Sequence, residues 1–79
     1  GPLIDRLPRD RAVDFRVRVP GAKRVQLVSA DERWFPLSQA ADDPALWTLS
    51  LHVTDRGPYR LMANMDASST RYVGLVAFD

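Results

Sequence analysis

The sequence predicts a small all-β sandwich of about six or seven antiparallel strands, and three observations carry that prediction. Segments 12–19 (AVDFRVRV), 47–53 (WTLSLHV) and 59–65 (YRLMANM) each place an apolar residue at every second position. Strand side chains point alternately to opposite faces, so this period belongs to strands buried on one side. Turn signals recur roughly every 8–12 residues, the spacing of a sandwich or barrel. No stretch has the apolar period of a helix. A small open barrel is the alternative arrangement.

The elements follow in order. Gly1-Pro2 reads as the scar of a cleaved tag, and residues 1–11 as tag remnant and linker, with one domain over 12–79. Strand one covers 12–19, with Val13, Phe15, Val17 and Val19 inward, and Pro20-Gly21 turns the chain. Strand two covers 24–29, with Val25 and Leu27 inward; 31–33 is a turn. Strand three, 34–37, belongs at a sheet edge because Pro36 cannot donate to a ladder. Residues 38–44 read as a polar loop. Strand four, 46–53, sets Trp47, Leu49, Leu51 and Val53 on one face. Residues 54–58 turn, with Gly57 free to take a positive φ. Strand five covers 59–65, a turn follows over 66–70, and strand six covers 71–78. Strand six is apolar on both faces, so either it lies centrally with its second face covered or that face meets a partner.

Composition narrows the function classes. The chain has 79 residues, a net charge of +1 and no cysteine. Disulfide and thiolate–metal frameworks are therefore out of reach. The low charge argues against nonspecific nucleic-acid binding, and no apolar run approaches the roughly 20 residues of a membrane-spanning helix. The interleaved arginines and aspartates of the first half read as a solvated face. The compartment is left open, with the cytoplasm favoured.

No residue set points to catalysis or to a cofactor. His52 falls on the outward face of strand four, with Ser50 two residues away. That spacing is roughly 6–7 Å between Cα atoms, too far for a nucleophile–base hydrogen bond. Asp42, Asp43, Asp55 and Asp66 lie in expected turns, where aspartate bonds its own backbone. A non-enzyme without cofactor or metal is the expectation. The aromatics are the remaining lead, since their faces stack on sugars and anchor protein interfaces. Trp47, Tyr59 and Tyr72 are expected in or beside the core, and Trp34 is open between core and surface. Arg60, Met62 and Asn64 share the other face of strand five and would form a polar platform with Thr48, Ser50 and His52 if the strands are neighbours.

The phrases F-x-V (Phe15, Val17), P-x-A (Pro20, Ala22), V-x-L (Val25, Leu27), W-x-x-L (Trp34, Leu37), W-x-x-x-L (Trp47, Leu51) and G-x-Y (Gly57, Tyr59) stand in an order that resembles early-set immunoglobulin-like domains. The order is similar to the glycogen-binding and isoamylase amino-terminal modules over 12–66. That resemblance implies an immunoglobulin-like sandwich that binds α-glucans or packs on an adjoining domain. Trp34 matches the first sugar-contacting tryptophan, with Lys23, Arg60 and Asn64 as companions. The second tryptophan has no counterpart at Asp66-Ala67-Ser68-Ser69, which favours the non-binding members. The ending 72–78 (YVGLVAF) resembles the closing strand of the immunoglobulin-like domain attached to kyphoscoliosis-type, transglutaminase-like peptidases, an accessory module. The leading expectation is a noncatalytic accessory module that meets an adjoining domain or protein partner through Val73, Leu75 and Ala77. An α-glucan-binding module is the alternative.

Overall fold

A computed structural model describes residues 11–53 and 57–78, with the side chain of Val53 left aside. It is all-β: seven strands and no helix among the described residues. The strands are β1 (Arg11–Arg18), β2 (Arg24–Val28), β3 (Trp34–Pro36), β4 (Ser38–Ala40), β5 (Asp43–Val53), β6 (Tyr59–Asn64) and β7 (Thr70–Val76). They form two antiparallel sheets, one in the order β1-β5-β4 and one in the order β3-β2-β6-β7.

The turns follow from local chemistry. Pro20 presets its own φ and Gly21 takes φ +79°, with the Ala22 N–H donating to the Val19 carbonyl at 3.3 Å, a type II turn. In the β2–β3 hairpin the Ser29 hydroxyl donates to Asp31, and the Arg33 N–H donates back to Ser29 Oγ at 3.0 Å. Glu32 holds φ +64° there, a left-handed conformation without glycine.

The core lies between the sheets. Val25, Leu27, Leu61 and Ala63 of one sheet face Trp47 of the other, with Val13, Phe15, Val17, Leu49 and Leu51 packed against them. A chain of edge-to-face rings joins the layers. Phe15 of β1 meets Phe78 at 5.9 Å, Phe78 meets Tyr59 at 5.5 Å, and Tyr59 meets Phe35 at 6.4 Å. Such contacts add about 0.5–1.5 kcal/mol each beyond area burial.

Three expectations need correction. Residues 38–44 are no loop: they supply β4 and the start of β5, joined by a tight turn. The polar side chains there serve the hairpin, since Gln39 Nε2 donates to the Pro44 carbonyl at 2.8 Å and Asp43 Oδ1 accepts the Ala45 N–H at 3.1 Å. Pro44 is tolerated because the β4 partners jump from Trp47 to Asp43, so it falls in a register irregularity. Of the two readings open to strand six, here β7, the central place is not the one found: among the described residues it is the edge strand beyond β6. Tyr72 is not in the core but 57% exposed. The expectations on residues 1–10 and on the turn at 54–56 lie outside the described residues.

Candidate functional site

The two sheets turn opposite kinds of surface outward. On the three-stranded sheet the outward rows pair Asp14 with Ser50, Arg16 with Thr48 and Ala12 with His52. This face is polar, and its hydrogen bonding is local: Ser50 Oγ donates to Asp14 Oδ1 at 2.6 Å. The serine proton therefore goes across the ladder to a carboxylate and not toward His52, which is exposed. No cluster of three or more His, Cys, Asp or Glu side chains suited to a metal ion occurs among the described residues.

The outer face of the four-stranded sheet is largely apolar. One row across the strands runs Trp34, Val28, Arg60, Leu75, and the next runs Pro36, Gln26, Met62, Tyr72. Trp34 is 49% exposed and Leu75 64%. Val73 is exposed beside them, as is Ala77 just past the strand. Val28 also points this way, outside the core cluster, and yet is only 1% exposed. Its row neighbours explain this: Trp34 flanks it on one side and Arg60 on the other, and Arg60 Nη2 donates to Glu32 Oε1 at 2.6 Å. The ion pair ties the hairpin tip to β6 alongside this valine.

A bulge puts Tyr72 on this face. Leu61 pairs with Gly74 and the next residue, Met62, pairs with Tyr72, which leaves Val73 unpaired. One extra residue reverses the alternation, so Tyr72 points outward although Val76 points in. The signal for this in the sequence is Gly74, because a glycine inside a strand pattern marks a bulge.

The four residues expected to contact sugar lie on or beside this sheet but divide into two pairs. Trp34 and Arg60 stand in one row. Lys23 and Asn64 meet at the other end, where the Lys23 N–H donates to the Asn64 carbonyl at 2.7 Å. Arg60 and Asn64 are four strand residues apart, roughly 13 Å. The Asn64 amide is engaged already, donating to the Ser69 carbonyl at 2.9 Å and to Thr70 Oγ1 at 2.7 Å. The expected platform of Arg60, Met62 and Asn64 with Thr48, Ser50 and His52 does not form, because β5 and β6 belong to different sheets.

Beside Asn64 the chain turns on Asp66. Its Oδ1 accepts the Ser68 N–H at 2.8 Å, the Ser68 hydroxyl at 3.0 Å and the Ser69 N–H at 3.0 Å. The Ser68 bonds, and after them those of Ser69, hold the carboxyl below its usual range. Asp31 is lowered likewise, by the Ser29 hydroxyl first and then by Arg33.

No family model matches this chain, and no curated protein or solved structure shows significant similarity to it. Among the described residues no helix is long and apolar enough to cross a membrane.

Proposed function

We propose that this chain is a noncatalytic, immunoglobulin-like accessory module that binds an adjoining domain or protein partner through the outer face of its four-stranded sheet. One observation carries the reading: Tyr72, Val73 and Leu75 stand exposed together on the β7 side of that face, with Trp34 on its far strand, while the opposite sheet is polar. Large exposed apolar side chains gathered on one surface mark interaction sites more often than those scattered singly. Strand order supports the immunoglobulin-like class. Such sandwiches place strands B, E and D in one sheet and C, F and G in the other, with an added C′ beside C. Taking β1 as B, the orders β1-β5-β4 and β3-β2-β6-β7 become B-E-D and C′-C-F-G. Tyr59 then opens strand F, where these sandwiches often carry a tyrosine.

The test is site-specific photo-cross-linking in the parent cell. A benzophenone side chain at position 75 should capture a discrete protein adduct, and the same group at position 50 on the polar face should not. Equal capture at both positions, or none at either, rejects the reading.

The second reading is α-glucan binding, favoured by the half-exposed indole of Trp34 with Arg60 in its row. Titration with maltoheptaose, followed by the tryptophan indole signals, decides it. Saturating shifts at Trp34 that vanish in Trp34→Ala establish a sugar site, and a flat response at millimolar sugar removes it.

A further inference from the structure

Four strands form the edges of the two sheets: β1 and β4 in one, β3 and β7 in the other. An edge strand presents unpaired backbone N–H and C=O groups and pairs with another strand unless something prevents it. Three of the four edges are guarded among the described residues. β3 and β4 have three residues each, and β3 contains Pro36. β1 carries Arg11, Asp14, Arg16 and Arg18 among its eight residues. β7 has seven residues, no proline and a single charge, Arg71. Its bulge interrupts the ladder at Val73, and beyond it Gly74, Leu75 and Val76 pair in unbroken register with Leu61, Arg60 and Tyr59.

Gly74 adds a second observation. It stands at an inward position opposite the buried Leu61, yet nothing lies within 4 Å of a Cβ built on it. The inner side of β7 is therefore open there. A glycine within a strand often marks the close approach of another backbone. A strand laid along β7 has room over Gly74 for a large apolar side chain, and its alternate residues fall beside Leu75 and Tyr72 on the outer face.

Charge selects the occupant. Arg71 is exposed, and its side chain has no hydrogen bond or ion pair among the described residues. Arg24, at the same end of the sheet in the row Arg24, Asn64, Thr70, has none either. The carboxylate of the adjoining turn, Asp66, is engaged by Ser68 and Ser69. A second copy of β7 would bring another arginine and no carboxylate, whereas a strand with an aspartate or glutamate near Arg71 answers the charge.

We propose that β7 takes up an extended segment of a protein partner as an added edge strand, one that alternates apolar with polar residues and sets a carboxylate beside Arg71. The proposal rests on the reading of the outer sheet face as a protein contact and names the form of the partner.

The test selects displayed random peptides of about ten residues, long enough to cover a strand, on the full 79-residue chain. The enriched peptides are then titrated into the isotope-labelled chain. Their sequences should alternate apolar and polar residues and carry aspartate or glutamate. Binding should shift the β7 amides and slow the exchange of those that face the open edge. Methylating every second peptide amide should abolish binding in one phase and leave it within about threefold in the other, since only one set meets the β7 backbone. Arg71→Glu, an exposed change, should weaken the acidic peptides by about tenfold and favour their lysine-substituted counterparts. The proposal falls if no sequence is enriched, if the shifts lie off β7, if both methylation phases bind alike, or if affinity ignores the charge swap. It also falls if the edge amides already exchange slowly without peptide: in a dimer the occupant is a second copy, in a monomer the chain itself. A photo-adduct at position 75 alongside any of these failures keeps the outer face as a protein contact and removes only the added strand, whereas the absence of an adduct removes both.

Discussion

Tyr72 stands opposite Met62 on the outer face of the four-stranded sheet, and the unpaired Val73 is what turns it there. Counting inward positions back from Val76 through Gly74 would place Tyr72 against the core. The bulge gives that inward position to Arg71, opposite Ala63 near the end of the strand. Tyr72→Ser and Leu75→Ser should therefore leave the unfolding free energy from urea titration within about 0.5 kcal/mol of the parent, the range of ordinary surface changes. Tyr59→Ala removes a ring that is only 4% exposed and should cost about 3–5 kcal/mol. A large loss in Tyr72→Ser would place that ring in the core after all.

Two glycines should respond in opposite ways to the same change. At Gly57 φ is +100°, and an added Cβ would lie 2.8 Å from Tyr59 Cδ1 and 3.0 Å from the Val76 carbonyl oxygen. Gly57→Ala should cost about 1–3 kcal/mol in chemical unfolding. Nothing lies within 4 Å of a Cβ built on Gly74. Gly74→Ala should be neutral or add about 0.4–1 kcal/mol, because alanine has less backbone freedom to lose on folding.

Glu32 combines backbone strain with a side-chain contact, and substitution separates them. Its left-handed φ of 64° costs a non-glycine residue about 1–2 kcal/mol, while its exposed ion pair with Arg60 returns at most about 1 kcal/mol. Glu32→Gly should melt no lower than the parent. Glu32→Val keeps the strain, adds β-branching at a positive φ and loses the pair, so it should melt clearly lower.

Acid should act through Asp31 and Asp66. Both carboxyls are lowered in the folded chain from the ordinary 3.8, so the native state binds fewer protons than the unfolded one. Their contribution is complete above the unfolded value and is lost as pH falls through the lower folded values. Urea midpoints measured from neutral pH downward should hold steady to about pH 5 and then decline. Asp66→Asn should flatten that decline, and an unchanged profile would remove Asp66 from the account.

How much of this could be read from the residues depends on what sets each feature. Alternation placed Val13, Phe15, Val25, Leu27, Trp47 and Leu49 on the inner side, because one buried face imposes a period of two on each strand. Pro36 marked β3 as an edge for a local reason, its missing N–H. The β4–β5 hairpin escaped notice because its polar side chains serve the hairpin backbone, and polarity alone reads as loop. Tyr72 was misplaced because register is a property of two strands, and a bulge in β7 is defined only against β6. Trp34 and Arg60 fall in one row for a similar reason: each pairs with Val28, a relationship between three strands that no single segment displays.

The unlike outer faces also give the slab a handedness toward any boundary it meets. At an oil–water or polymer–water boundary the side bearing Leu75 and Tyr72 will turn away from water, and the side bearing Arg16 and His52 will keep its hydration. A sensor chip coated with hydrocarbon would then hold the domain face down, with its apolar face hidden from whatever is flowed across it. Tethering through a residue beside Ser50 would present the molecule the other way up. Which binding experiments succeed will thus depend on how the protein is held as much as on what it is offered.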